Sequence, residues 1–172
     1  MQSIASHYPP VSAAGMPLFF ISRYALSVTS LQALMGAADK SFDFPDGFSV
    51  SGVAVDIAEA RRKISPAFQG LTVVLIDAMS LPTLNAVKQL LAERPDMKLV
   101  IMTDHAVGHY SKQCLRLGVV GLLSRENSLP QLLKGFKEIS LGRKHVSRDI
   151  TVAEQVGKSS GNILAQYYEL SD

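Results

Sequence analysis

The chain has one cysteine, Cys114, and no tryptophan. A lone cysteine excludes an intrachain disulfide framework and fits a reducing compartment, so a cytoplasmic location is expected. Cys114 lies in the apolar-patterned stretch from Tyr110 to Leu115 and reads as a small buried hydrophobe rather than a nucleophile. Charge of one sign is also lacking. The 17 basic and 15 acidic residues leave a net +2, which selects neither a nucleic acid nor an acidic partner. No segment approaches the roughly 20 apolar residues that span a bilayer, so no membrane partner is expected. No Lys or Arg precedes Arg23, so the basic start of a secretory leader is missing. There is no P-loop, no G-x-G-x-x-G after a strand, no G-x-S-x-G elbow and no organised Cys/His pair. These absences argue against P-loop, dinucleotide and serine-hydrolase chemistry. Neither an enzymatic role nor a cofactor is expected.

What is present is an alternation. Five short apolar runs recur, several rich in Val and Ile: Leu18 to Ile21, Phe48 to Val55, Leu71 to Ile76, Lys98 to Met102 and Val119 to Leu123. Runs of that length and content suit strands buried on both faces of a parallel sheet. Between them lie helix-period stripes. Leu31, Leu34, Met35 and Ala38 form the first. Ile57, Arg61 and Ile64 form the second, broken near Pro66. Leu84, Val87, Leu90 and Leu91 form the third, ended by Pro95. Tyr110, Cys114 and Leu117 form the fourth, ended at Gly118. Leu129, Leu132, Leu133, Phe136 and Ile139 form the fifth, capped by Ser128 and ended at Gly142. Strict alternation predicts an α/β domain, a (βα)5 doubly wound parallel sheet with helices on both faces.

The regular pattern covers 17–149. Residues 1–16, with Pro9-Pro10 among Ser, Ala and Gly, read as a flexible arm. The stretch Arg143 to Asp149 is polar and basic. Residues 150–172 read as a linker followed by a short helix that Asn162 would cap. That helix would carry Ile163, Leu164, Tyr167 and Tyr168 on one apolar patch, suited to contact with this chain or with a partner.

In such sheets chemistry gathers at the carboxyl ends of the strands. Ser22 and Arg23 follow the first strand, Asp77 follows the third, Thr103 and Asp104 follow the fourth, and Arg125 and Glu126 follow the fifth. His105 and His109 stand four apart, a spacing seen in helical zinc sites, but no third ligand is placed. Two histidines on a solvated helix start are the plainer reading, and no metal is expected.

The order and spacing of these features resemble a receiver domain of the LuxR/NarL type of bacterial response regulator. The run from Leu117 through Glu126 is similar to that family's GAxGYLLKD stretch. Ser128-Leu129-Pro130 and Ile139-Ser140-Leu141-Gly142 match its last helix and GxxxxS ending. The resemblance covers roughly 17–150 and implies a flavodoxin-like receiver fold. It implies that Asp77 holds the phosphoacceptor position, Thr103 and Leu122 the switch positions, and Arg125 the place of a lysine. Ser22 and Arg23 replace the acid pair that would bind Mg²⁺, and Pro82 comes five rather than four residues after Asp77. Arg23 would then put a cation where the metal belongs, and is expected to pair with Asp77. Asp77 has a plainer reading too, as a cap on the turn from Ala78 to Pro82.

These departures predict an atypical receiver that works in signal transduction and transcription regulation through protein contact, without Mg²⁺-dependent phosphorylation. Two alternatives stand beside it: a phosphorylation-competent receiver using Asp77, and a regulatory domain that binds a small molecule in the strand-end crevice. The expected partner is a second copy, met through the tail or through the first and fifth helices, or another signalling protein. DNA would be reached only through an effector domain that this chain does not contain.

Overall fold

Val-, Ile- and Leu-rich segments too short for helices pair into a single parallel sheet in the computed structural model. The structure describes residues 15–38, 47–77, 79–103 and 110–151. The strands are β1 (Met16–Ile21), β2 (Phe48–Ala54), β3 (Leu71–Ile76), β4 (Lys98–Thr103), β5 (Gly121–Ser124) and β6 (His145–Val146), in the order β2-β1-β3-β4-β5-β6. The helices are α1 (Ala25–Ala38), α2 (Ile57–Lys63), α3 (Leu81–Glu93), α4 (Tyr110–Leu117) and α5 (Leu129–Ser140). The doubly wound α/β architecture expected from the alternation is therefore present.

The sheet is apolar on both faces because helices cover both. Val28 and Met35 of α1 join Leu132, Leu133 and Phe136 of α5 against Leu18, Phe20, Val73 and Val100. On the other face α2, α3 and α4 bring Ala60, Val87, Leu90 and Cys114 against Phe19, Val74, Leu99 and Ile101. Cys114 is fully buried, and burial pushes its thiol up to about 11. Thr72, in the middle of β3, is also fully buried. It carries the one buried side-chain polar atom among the described residues that lacks a hydrogen-bond partner. An orphaned hydroxyl of this kind costs about 1–3 kcal/mol.

Three local expectations change. The polar stretch after α5 contains a sixth strand, where five were predicted. The N–H of His145 donates to the Val120 carbonyl at 3.0 Å and that of Ser147 to the Leu122 carbonyl at 2.8 Å. Two residues are too short for any period to register. On α2 Ile57 and Ala60 turn inward, followed by Ile64 at the C-cap; Arg61 faces outward and pairs with Glu93 at 3.0 Å. On α1 Val28 and Met35 turn inward, while Leu34 is half exposed.

Helix ends follow the sequence closely. Gly118 (φ 105°) and Gly142 (φ 82°) stand just past α4 and α5 in the left-handed region that glycine adopts most easily. Ser128 starts α5, and Gln131 Oε1 reaches back to accept its N–H at 2.8 Å. Ile150 packs into the core beside α4, although it lies past the last strand.

Candidate functional site

Four parallel strands end at one rim, and the loops that follow three of them meet there. β1 runs into Ser22, which is buried, and Arg23, which is exposed. The Ser22 hydroxyl is occupied by its own turn: it accepts the Tyr24 N–H at 3.0 Å and donates to the Tyr24 carbonyl at 3.3 Å. That turn aims the Tyr24 ring across the rim. Its phenol donates to Asp77 Oδ2 at 2.8 Å. β3 delivers Asp77, whose other oxygen, Oδ1, meets the Arg125 guanidinium at 3.3 Å. Arg125 follows β5 and extends a further, longer contact to Ser27 Oγ at 3.5 Å. Thr103, the last residue of β4, donates its hydroxyl to the Asp77 backbone carbonyl at 3.2 Å. Asp77 is thus the hub of three loops.

The guanidinium that meets Asp77 is Arg125, not the expected Arg23. Arg23 is exposed and pairs with no carboxylate among the described residues. Asp77 does not cap the following helix either. Ser80 does so, its Oγ accepting the Thr83 N–H at 3.3 Å, with Pro82 in the first turn of α3. Leu122 lies on β5, fully buried in the core beneath α4. Asp104, His105 and His109 lie outside the described residues, as does the patch from Asn162 to Tyr168.

Two contacts escaped the sequence. Tyr24 is 53 residues from Asp77 and Ser27 is 98 from Arg125, and no spacing rule connects residues so far apart. The Asp77 hydrogen bond and the carboxylate's charge raise the Tyr24 phenol above its ordinary range, so it remains a donor at neutral pH.

A Mg²⁺ ion does not fit these residues. Hard cations want several oxygens, among them carboxylates. Here one carboxylate is shared between a phenol and a guanidinium, Ser22 is committed to its turn, and Arg23 adds positive charge. Among the described residues no three His, Cys, Asp or Glu side chains group to hold a metal ion. Nor is any of their helices long and apolar enough to cross a membrane.

Solved structures share this fold. A LuxR-family two-component response regulator from Aurantimonas sp. SI85-9A1 superposes with a TM-score of 0.69 at 16% identity, covering 85% of this chain and 99% of that one. The fold is that of a receiver domain. The isolated REC domain of RcsB from Salmonella enterica serovar Typhimurium, with the phosphomimetic BeF3-, gives a TM-score of 0.64 at 10% identity, covering 81% and 98%. A structure of two RcsB dimers bound to two parallel DNAs gives 0.59 at 13%, covering 82% and 68%. In sequence, a Pseudomonas aeruginosa protein named "Putative transcriptional regulator" is 26% identical over 100 residues. The match spans 58% of this chain and 48% of that protein, so about half of the relative's length is matched. No family model matches. On the receiver fold, Asp77, Thr103 and Arg125 stand at the ends of β3, β4 and β5, gathered at one rim.

Proposed function

We propose that this chain is a receiver-like signalling module of a transcription regulator that acts by protein–protein contact and not by Mg²⁺-dependent phosphorylation of Asp77. One observation carries the reading: the Asp77 carboxylate is held from both sides, by the Tyr24 phenol and the Arg125 guanidinium. An aspartyl phosphate needs that carboxylate free as a nucleophile and a metal to neutralise the incoming oxygens. Ser22 and Arg23 stand where the metal's acids would be. Asp77 then serves as a fixed tie between the loops after β1, β3 and β5. The competing reading, a working phosphoacceptor, draws on the exposure of Asp77 and the Thr103 hydroxyl beside it. Titration with Mg²⁺, followed by amide chemical shifts around Asp77, separates the two. Binding weaker than about millimolar is expected, since Asp77 is shared between Tyr24 and Arg125 and Asp56, the other carboxylate at this rim, is tied to the Glu59 N–H. A tighter site would favour the phosphoacceptor.

The partner we assign is a second copy, met through α1. This 14-residue helix carries no charged side chain. Its outer face presents Leu26 (78% exposed), Ser30, Ala33 and Leu34 (50% exposed) at helical spacing. Across a two-fold axis each residue meets its own equivalent, so any charge near the axis would face itself. A charge-free, apolar outer face satisfies that condition. Oxidising an Ala33→Cys variant tests the pairing, because the native thiol, Cys114, is buried and stays protonated. A disulfide-linked dimer is expected. A monomer by light scattering at about 100 μM, a concentration that reveals any contact of useful strength, would contradict it.

A further inference from the structure

The strand order β2-β1-β3-β4-β5 reverses direction between β1 and β3. Ligands of open α/β sheets settle at that reversal, outside the carboxyl ends of the strands. Here the reversal opens into a cavity of about 600 Å³ between the first turns of α2 and α3. That volume lies within the range of small-molecule sites. Its wall is largely apolar, built from Val55, Ile57, Pro82 and Ala86. Its rim is unusually apolar too. Among the described residues six large hydrophobics are exposed, and three are here: Tyr24 and Val55 line the cavity and Leu81 adjoins Pro82. Exposed apolar side chains gathered around a concavity mark a binding site more often than scattered ones do.

The charges select the ligand. Two carboxylates line the cavity, and both are engaged. Asp77 is held by Tyr24 and Arg125, and Asp56 accepts the Glu59 N–H at 2.7 Å at the start of α2. Arg23 also lines the cavity, and no carboxylate among the described residues pairs with it. One guanidinium without a carboxylate partner among the described residues, beside an apolar wall and with two carboxylates close by, matches a single negative charge better than a double one. We propose that this cavity binds a small organic monocarboxylate, its acid group on Arg23 and its apolar body along Val55, Ile57 and Pro82. Arg23, which the resemblance puts in the place of a metal-binding acid, would supply the cation for that acid group, and the ligand would take the regulatory place of a phosphoryl group. This rests on the reading that Asp77 is not phosphorylated, which mass measurement after treatment with a phosphodonor tests separately.

The probes are phenylacetate, benzylamine as its cationic counterpart, and inorganic phosphate, each added to the full chain. Phenylacetate at about 10 mM should raise the melting temperature by about 2–4 °C, as binding to the folded state alone requires. It should also shift the amide resonances of Val55, Ala58 and Ala86. Arg23→Gln, a change at an exposed side chain, should abolish both effects and leave the unliganded melting temperature unchanged. Arg116→Gln on α4, remote from the cavity, should abolish neither. An equal response in Arg23→Gln, an equal response to benzylamine or phosphate, or no response to phenylacetate would each overturn the proposal.

Discussion

Phe136→Ala should lower the melting temperature of the domain by about 10 °C. Phe136 is 1% exposed and sits where α5 meets the sheet. Its ring stands edge-on to Phe48 of β2, with centroids 5.6 Å apart and planes at 61°. Removing a ring from a packed interior loses its transfer free energy and leaves a cavity, together about 3–5 kcal/mol. For a domain of this size each kcal/mol moves the midpoint by about 2–4 °C. Urea denaturation should show the midpoint falling at constant slope, since the surface exposed on unfolding is unchanged. A loss below about 1 kcal/mol, small for any buried ring, would mean that α5 is not seated as described.

Gly70→Ala should be similarly damaging for a different reason. Gly70 precedes β3, where Leu71 pairs in register with Leu18 of β1. A Cβ at Gly70 would run into the Pro17 carbonyl oxygen and the Phe68 ring. The carbonyl is backbone and cannot rotate away, so β1 and β3 would have to part at their first pair. Overpacking of this kind costs about 1–3 kcal/mol in an ordinary core and more against main chain. Gly121→Ala is a milder companion, because its closest neighbour is the flexible end of Ile139. Gly36→Ala, with nothing within 4 Å, should stabilise α1 by about 0.5–1 kcal/mol. Urea midpoints of the three variants should fall in the order Gly36→Ala, Gly121→Ala, Gly70→Ala. A midpoint for Gly70→Ala at or above that of Gly121→Ala would show that backbone approach at Gly70 does not limit the fold.

These two residues mark where the sequence is readable. Phe136 stands in a stripe of five apolar residues spaced for a helix, so its burial follows from local periodicity alone. Gly70 carries no such signal, because the atom that forbids its side chain belongs to Pro17, 53 positions away. The strands were legible where they are long and buried on both faces, as in β3 and β4. The two-residue β6 was not, since its hydrogen bonds to Val120 and Leu122 depend on a chain that has already returned past α5.

The site divides the same way. Strand-end topology brings Asp77, Thr103 and Arg125 to one rim, and the sequence order of the runs was enough to anticipate that gathering. It was not enough to choose which guanidinium reaches Asp77. Arg23 follows Ser22 directly, yet the turn built by Ser22 aims the Tyr24 ring across the rim at Asp77 and leaves Arg23 exposed. A choice between adjacent side chains rests on one turn's geometry, which composition and spacing do not encode.

The intact mass of the chain after incubation with Mg²⁺ and acetyl phosphate bears most directly on the role of Asp77. A carboxylate shared by Tyr24 and Arg125, without acids to hold a metal, should remain unmodified, and the mass should equal that of the untreated chain. A gain of one phosphoryl group that disappears in Asp77→Asn would show that Asp77 is a phosphoacceptor and would contradict the account.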